Sequence, residues 1–426
     1  MIDQDRIRKN PEEVKAALKK KLWDADFTEY LEWDKEKRAL LQVVEGNKAE
    51  MNKLSASVPA AKKAGEDVSK IFAKVKEIAA KNKENEEKVK ELDDKTFNFL
   101  AALPNIPDDD LVGGGKENNK RIKVFGEKPN FNFKMKDHVE LAESLGLVDY
   151  DRGAKISGHG AWVYTNLGAR LEWALVNFFI SEHLKDGYEF ILPPHLLNEQ
   201  SGYVAGQFPK FRQDVFWLDG LEPKRFILPT AETALVNLHR DEILSEDDLP
   251  RKYFAYTPCY RREAGSYRTE ERGMIRGYQF NKVEMVQYTK PEDSDKAFEE
   301  LVGKAESLVA KLGLHYQVSK LAAGDISHSM ARTYDIEVYL PSIGIYKEVS
   351  SASNARDYQA RRGMVRYRDK ATGKTRFVHT LNASGLATSR IFPAILEQYQ
   401  QADGSVVVPE VLRPFMGGIE VLKPIK

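Results

Sequence analysis

Along the first hundred residues, apolar side chains recur at alternating steps of three and four. One run comprises Tyr30, Trp33, Lys37, Leu40, Val44, Asn47, Met51, Leu54 and Val58; a second comprises Val68, Ile71, Val75, Ile78, Asn82, Asn85, Val89, Leu92, Thr96, Phe99 and Leu103. Each run has the spacing of a coiled-coil seam. Between them, residues 59–67 predict a turn, with Pro59 ending one helix and Asp67 capping the next. Two seams of similar length joined by a short turn predict an antiparallel hairpin over about residues 30–103, and at about 1.5 Å per residue the arm would reach roughly 45 to 50 Å. Lys37, Asn47, Asn82, Asn85 and Thr96 interrupt the seam. A buried Asn at such a position fixes register at a cost in stability.

Pro104-Asn105-Ile106-Pro107-Asp108-Asp109-Asp110, followed by Gly113-Gly114-Gly115, ends the second helical run and predicts a linker. It divides an N-terminal domain, residues 1–105, from a second domain, residues 106–426. In the second domain the pattern changes. Gly168 to Lys185 predicts a helix, and Tyr188 to Leu192 a strand closed by Pro193-Pro194. Arg251 to Arg262, Met274 to Tyr288, Tyr334 to Leu340, Ile345 to Val349 and Thr375 to Leu381 are also strand-like. Strands gathered between separate helices, without a regular strand-helix rhythm, predict an α+β domain around a mainly antiparallel sheet. No G-x-G-x-x-G follows a predicted strand and no G-x-x-x-x-G-K-[ST] occurs, so dinucleotide-binding and P-loop sites lack support.

Composition narrows the class. Of 426 residues, 42% are apolar, enough for a substantial core in two or three domains. Sixty-five basic residues balance sixty-five acidic ones, so any nucleic-acid surface must be local. One such place is the tip of the arm, where seven lysines between Lys48 and Lys76 face only Glu50, Glu66 and Asp67. A solvated helical face also carries lysines, but surplus charge on a projecting arm of a neutral protein suits contacts to phosphate that are independent of sequence. The single cysteine, Cys259, excludes an internal disulfide framework and a thiolate zinc cluster and fits a reducing compartment. The N-terminus is charged and the most apolar stretch, Leu171 to Ile180, is too short to span a bilayer; a cytoplasmic protein without membrane contact is expected.

Three strings carry the chemistry: Cys259-Tyr260-Arg261-Arg262-Glu263-Ala264-Gly265-Ser266, Gly277-Tyr278-Gln279-Phe280-Asn281-Lys282-Val283-Glu284, and Asn382-Ala383-Ser384-Gly385-Leu386-Ala387-Thr388-Ser389-Arg390. They supply arginines, carboxylates and an aromatic ring, the groups that hold a nucleoside triphosphate beside a small zwitterion, and so suggest amino-acid activation. They occur in order with Thr230-Ala231-Glu232, Tyr334-Asp335-Ile336-Glu337-Val338 and Lys347-Glu348-Val349-Ser350-Ser351-Ala352-Ser353-Asn354. Over its whole length, to Val408-Pro409-Glu410-Val411-Leu412-Arg413-Pro414-Phe415, the chain resembles the seryl-tRNA synthetases, which are class II aminoacyl-tRNA synthetases.

The resemblance implies a catalytic domain with an antiparallel sheet flanked by helices, and a homodimer formed through residues 168–194. It implies ATP-dependent activation of L-serine to seryl-adenylate and transfer of serine to the 3′ end of tRNA(Ser). Joining a carboxylate to the α-phosphorus needs alignment and charge neutralisation more than a general base. By similarity Arg261 holds the α-phosphate and substrate carboxylate, Arg390 the γ-phosphate, and Arg276 assists at the triphosphate tail. Glu263 accepts from the adenine amino group, and Phe280 stacks on the ring with Arg390 opposite. Glu348 and Ser351 bind Mg²⁺, with Val349 and Ser350 beside ATP. Thr230, Ala231 and Glu232 receive the serine ammonium group, while Glu284 and Ser384 read its hydroxyl. A carboxylate awaiting a hydroxyl rejects alanine, whereas threonine must be refused by shape. A plainer reading of Glu284 is a carboxylate paired to Lys282 or Arg276. The segment Ala264 to Gly273, with Arg268 and Arg272, would guide the acceptor end of the tRNA, and the arm would grip its elbow and long variable arm.

Several positions depart from the family pattern: Thr233 and Ala234 after Glu232, Tyr278 in place of histidine, and Ala383 and Ser389 in place of glycines. The last two add β-carbons where close backbone approach or positive φ would favour glycine. Two other functions stay open. A paralogue would pass activated serine to a carrier protein or a small-molecule pathway, against which the intact arm argues. A non-catalytic scaffold is opposed by the joint presence of Arg261, Glu263, Glu284, Glu348 and Arg390.

Overall fold

The computed structural model describes residues 1–263 and 272–425. The chain divides into two compact units: Ile2–Ala16 with Asp24–Leu103, and Ala17–Trp23 with Pro104–Lys426 and Met1.

The first unit is built on two long helices, α1 (Thr28–Lys63) and α2 (Ser69–Ala102). With 36 and 34 residues, each runs about 50 Å at 1.5 Å per residue. The predicted seam is where they meet. Val44, Ile78, Leu92 and Leu100 are buried, and the ring of Phe99 packs on Phe27, Tyr30 and Trp33. Three of the polar seam positions find partners across the hairpin. Asn47 Nδ2 donates to Asn82 Oδ1 at 2.8 Å, Asn82 Nδ2 donates to the Val44 carbonyl at 3.2 Å, and Lys37 pairs with Asp93 at 3.1 Å. Thr96 turns its hydroxyl back on the Leu92 carbonyl. Buried Asp34 accepts from Arg8 and Arg38, and Arg8 foremost draws its pKa down against the penalty of burial.

Pro59 does not end α1, which continues through it to Lys63. Proline removes one N–H and crowds the carbonyl four residues back, but both Pro59 and Ser55 are exposed, so water can take the place of the lost bond. The N-cap of α2 is Val68 and not Asp67, which stands one residue earlier; the Asp67 carboxylate still accepts from the Ser69 amide at 2.9 Å and from the Ser69 hydroxyl at 2.7 Å.

In the second unit a sheet of eight strands lies among the described residues: β1 (Lys120–Phe125), β2 (Glu189–Phe190), β3 (Arg251–Tyr260), β4 (Gln279–Thr289), β5 (Tyr316–Lys320), β6 (Arg332–Leu340), β7 (Ile345–Arg356) and β8 (His379–Ala387). The spatial order is β1-β5-β6-β7-β8-β4-β3-β2. Every pairing is antiparallel except β2 with β3. Helices α3 (Asn166–Lys185), α4 (Ser294–Lys311) and α5 (Thr388–Gln398) cover one face, joining Leu171, Phe179, Phe298, Leu301, Ile391 and Ile395 to Val283, Met285, Ile336, Val338, Ala352 and Ala383 in one core. This is the expected α+β arrangement.

Several predicted strands change extent. Met274 and Ile275 form a short 3₁₀ turn, Gly273–Ile275; they are apolar because they enter the core, and the strand begins only at Gln279. β7 runs on through Ser350–Arg356, and the strand predicted from Thr375 is two, Thr375–Phe377 and His379–Ala387. The Ser, Ala and Asn residues there have weak β propensity and are held by burial on both faces. The predicted linker is also tied down. Asn105 Nδ2 donates to the carbonyls of Ser329 and Ala355, Leu111 is buried, and Gly114 exchanges backbone hydrogen bonds with Lys20 and Gly324.

The Asn47–Asn82 pair gives a test of the seam. Asn82→Ala strands a half-buried amide and should lower stability by about 1–3 kcal/mol, whereas replacing both with leucine should leave it unchanged or higher. Thermal unfolding followed by circular dichroism distinguishes the two; equal losses in both variants would contradict the account.

Candidate active site

The sheet face turned away from α3 and α5 carries charge where the other carries methyl groups. Alternation along β4 sends Val283 and Met285 into the core and Phe280, Lys282 and Glu284 to the opposite side. Ser384 on β8 stands directly across from Glu284. On β7 the register with β6 skips Val349, so that Glu337 faces Glu348 and Asp335 faces Ser351. This bulge resets the period of two and brings Glu348 and Ser351, three residues apart, to the same face.

Two adjoining cavities share Arg261, Glu263 and Arg276. The larger, about 430 Å³, has Thr230, Glu232, Gln207 and Ser329 in its walls. The smaller, about 150 Å³, is lined by Phe280, Lys282, Glu348, Ser384, Ser389 and Arg390 among others.

Behind the cavity walls, Glu284 is almost fully buried and forms an ion pair with Lys282, which lines the smaller cavity. Its other oxygen accepts from Asn382 Nδ2 at 3.2 Å, and the Ser384 hydroxyl lies 3.5 Å away. Lys282 Nζ also donates to Thr230 Oγ1 at 2.7 Å. The plainer pairing of Glu284 with Lys282 is therefore present, in the same cluster as the hydroxyl of Ser384. Glu232 accepts from Gln359 Nε2 at 2.8 Å; burial, then the charge of Glu284, pushes its pKa up to about 7. Ala231 is buried in one apolar cluster with Leu235 and Ala255 and is not among the residues that line either cavity.

At the smaller cavity, Arg261 donates to the Pro229 carbonyl and its guanidinium lies 5.2 Å from the centre of the Phe280 ring. Glu263, held at φ +49°, pairs with Arg276 at 2.5 Å. Arg390, in the first turn of α5, donates to the Glu348 carbonyl at 2.7 Å and lies 3.6 Å from its carboxylate. Ser350 is buried and donates to the Ser384 carbonyl, and Val349 belongs to the core. Among the described residues no three His, Cys, Asp or Glu side chains cluster as a metal site. Glu348 and Ser351 offer two oxygens on one face, which suits a hard cation that takes its remaining ligands from phosphate and water. Ser351 is aimed by a 2.5 Å hydrogen bond to Asp335, whose pKa is raised by burial and then by Glu348.

The departures from the family pattern settle into place. Ala383 points into the core, opposite Met285 and Ala352, and neither it nor Ser389 has positive φ. Thr233 is buried and donates to Gln207 at 3.0 Å, Ala234 fills a small cluster with Phe208 and Phe226, and Tyr278 is exposed. Of the segment expected to guide an acceptor end, residues 264–271, including Arg268, lie outside the described residues; Arg272 pairs with Asp137 at 2.9 Å. Pattern reading missed Asn382, Gln359 and Asp335 as members of the site, and it treated Lys282 only as a rival partner for Glu284. For Asn382 and Asp335 the signal was polarity at inward positions of strands, which needs the register to be seen; Gln359 lies on the short helix Tyr358–Gly363 and reaches Glu232 only through the tertiary fold.

This construction, an antiparallel sheet with arginines and carboxylates on one face, is that of a class II aminoacyl-tRNA synthetase. The family model for the tRNA synthetase class II core domain (G, H, P, S and T) matches residues 216–399, and that for the seryl-tRNA synthetase N-terminal domain matches residues 1–107. Serine–tRNA ligase 2 of Clostridium acetobutylicum is 62% identical over 98% of this chain and 99% of its own, and serine–tRNA ligase of Thermodesulfovibrio yellowstonii is 45% identical over 99% and 100%. The crystal structure of seryl-tRNA synthetase from Pyrococcus horikoshii complexed with ATP superimposes with a TM-score of 0.91 at 34% identity, covering both chains fully. The chain belongs to the seryl-tRNA synthetase family.

The raised pKa of Glu232 sets a pH dependence. Below about 7 the carboxyl is protonated and loses its attraction for an ammonium group; above, it is ionised. The KM for serine in pyrophosphate exchange should fall as pH rises from about 6 to 8, and Glu232→Gln should flatten that dependence. A slope that survives the substitution would assign the titration elsewhere.

Proposed function

We propose that the chain activates L-serine with ATP and transfers the seryl group to the 3′ end of tRNA(Ser). The observation that carries this reading is the convergence of Glu284, Ser384, Lys282, Thr230 and Glu232 beside Arg261. It supplies an anionic receiver for an ammonium group and a buried hydroxyl reader next to a guanidinium. Membership of the seryl-tRNA synthetase family and the ATP-bound relative support it.

In the first step a serine carboxylate oxygen bonds to the α-phosphorus and the bond to pyrophosphate breaks, with no proton transfer required. Arg261 aligns both reactants through its planar fork. Arg390 and Arg276 neutralise the triphosphate tail, Glu263 accepts from the adenine amino group, and Phe280 stacks on the base. Glu348 and Ser351 would hold Mg²⁺, which when bound offsets phosphate charge. In the second step a ribose hydroxyl at the tRNA 3′ end attacks the seryl carbonyl and AMP leaves.

Residues 1–105 are assigned to tRNA binding and 106–426 to catalysis. Lys53, Lys62, Lys63, Lys70 and Lys76 are exposed near the tip of the arm and form no ion pair among the described residues, whereas Lys48 and Lys74 are paired with Glu86 and Glu50. Those five are the phosphate contacts. A homodimer through residues 168–194 would cover Trp173 and Leu192, which are 53% and 74% exposed. No helix among the described residues is long and apolar enough to cross a membrane, and the cytoplasm, where tRNA is charged, is the assigned location.

Pyrophosphate exchange across the standard amino acids, followed by charging of purified serine tRNA, tests the reading. Serine alone should support exchange. Exchange without charging would point to a paralogue that hands serine to another acceptor. Replacing the five tip lysines with alanine should leave exchange intact, weaken charging at least tenfold at moderate salt and reduce the salt dependence of tRNA binding.

A further inference from the structure

We propose that Lys282 is a positioning residue that sets recognition of the substrate hydroxyl, through its hold on Glu284. This rests on the serine-activating reading above and goes beyond it, because it names what makes Glu284 able to read a hydroxyl. Lys282 is only 6% exposed, so its ammonium group sits in a largely dry site where an unpaired charge is costly. It spends that charge on two partners: the Glu284 carboxylate and Thr230 Oγ1 at 2.7 Å. One side chain thus braces both ends of the amino-acid site, the group that reads the hydroxyl and a group that receives the ammonium.

The brace meets two needs. Glu284 is 1% exposed, and its charge acts on Glu232, a second carboxylate, on which Lys282 and Arg261 also act; without Lys282 the two acidic groups would be left with Arg261 as compensation. The carboxylate must also point. Lys282 engages Oε2, Asn382 Nδ2 engages Oε1, and Ser384 stands 3.5 Å from Oε2, which fixes the plane of the carboxylate. A carboxylate accepts up to about four hydrogen bonds, so capacity for a substrate hydroxyl is left over. Asn382 Oδ1, on the amide whose Nδ2 holds Glu284, is itself buried without a hydrogen-bond partner among the described residues. A substrate lacking the hydroxyl leaves the spare accepting capacity of Glu284 unused.

A purely structural lysine would behave differently, since its loss would loosen the sheet and harm serine and ATP use alike. The full-length wild type, Lys282→Met and Lys282→Arg are compared in pyrophosphate exchange with serine and with alanine, and in the KM for ATP. For Lys282→Met the KM for serine should rise about 10- to 100-fold and the preference for serine over alanine should fall at least tenfold. The KM for ATP should stay within about twofold, and Lys282→Arg should recover part of the preference. An unchanged serine-to-alanine preference, or equal damage to serine and ATP parameters, overturns the inference while an active wild type leaves the proposed function standing. A wild type that gives no serine-dependent exchange overturns both. Should Lys282→Met fail to fold, Lys282→Gln keeps a donor toward Thr230 without the charge and should show the same selective loss for serine; an unaltered serine KM there overturns the inference.

Discussion

The central strands of the second unit's sheet are buried on both faces; one face is apolar, the other sets a charged cluster beside an apolar patch that includes Ala255, Val286 and Tyr288, and the rest of the site follows from how those charges are made tolerable. Taking a charge out of water costs several kcal/mol unless a partner and hydrogen bonds repay it. Here the repayment is mutual. Lys282 answers Glu284, Arg276 answers Glu263, Arg390 answers Glu348, and Gln359 donates to Glu232. A triphosphate and an amino acid would enter a set of groups already arranged in opposite-charge pairs, so binding exchanges one partner for another and the groups need little reorganisation. The arrangement also accounts for the apolar face. Met285, Ala352 and Ala383 pack beneath the charges and leave the strands no freedom to slip, because a slip of one residue would bring every charge into the core.

The same logic operates in the arm with less at stake. Asn47, Asn82, Lys37 and Thr96 occupy seam positions that leucine would fill more stably, yet each is satisfied across or along the hairpin. A uniform apolar seam would accept several registers; the Asn47–Asn82 bond accepts one. The position of the tip lysines along the arm is thereby fixed, and a hairpin that must present charge at a set distance has reason to accept the cost.

Periodicity alone made the arm legible, since a spacing of three and four sustained over about thirty residues places every apolar side chain on one stripe of a helix and on no single face of a strand. It failed at Pro59 because the cost of proline depends on whether water can reach the orphaned carbonyl, which sequence does not state. The body was legible as α+β, but β7 and β8 were read too short. Ser350 to Asn354 and Asn382 to Gly385 lack the β-branched and aromatic residues by which strands are recognised, and they are strands because their neighbours on both sides hold them. Arg261, Glu284, Ser384 and Arg390 were visible as motifs. Asn382, Gln359 and Asp335 were not, because a supporting residue is defined by the neighbour it touches, across the sheet for Asn382 and Asp335 and from a neighbouring helix for Gln359, and that neighbour appears only in three dimensions.

The substitutions that depart from the family pattern show the converse. Ala383 sits one residue from Ser384 in the chain, and adjacency suggested interference with the substrates. Successive strand residues face opposite ways, so the added β-carbon fills the core against Met285 and Ala352, where a methyl group is welcome. Proximity in sequence is thus a poor guide to proximity in a sheet, and Lys282, two residues from Glu284 and on its side of the strand, is for that reason the better place to look for control of specificity.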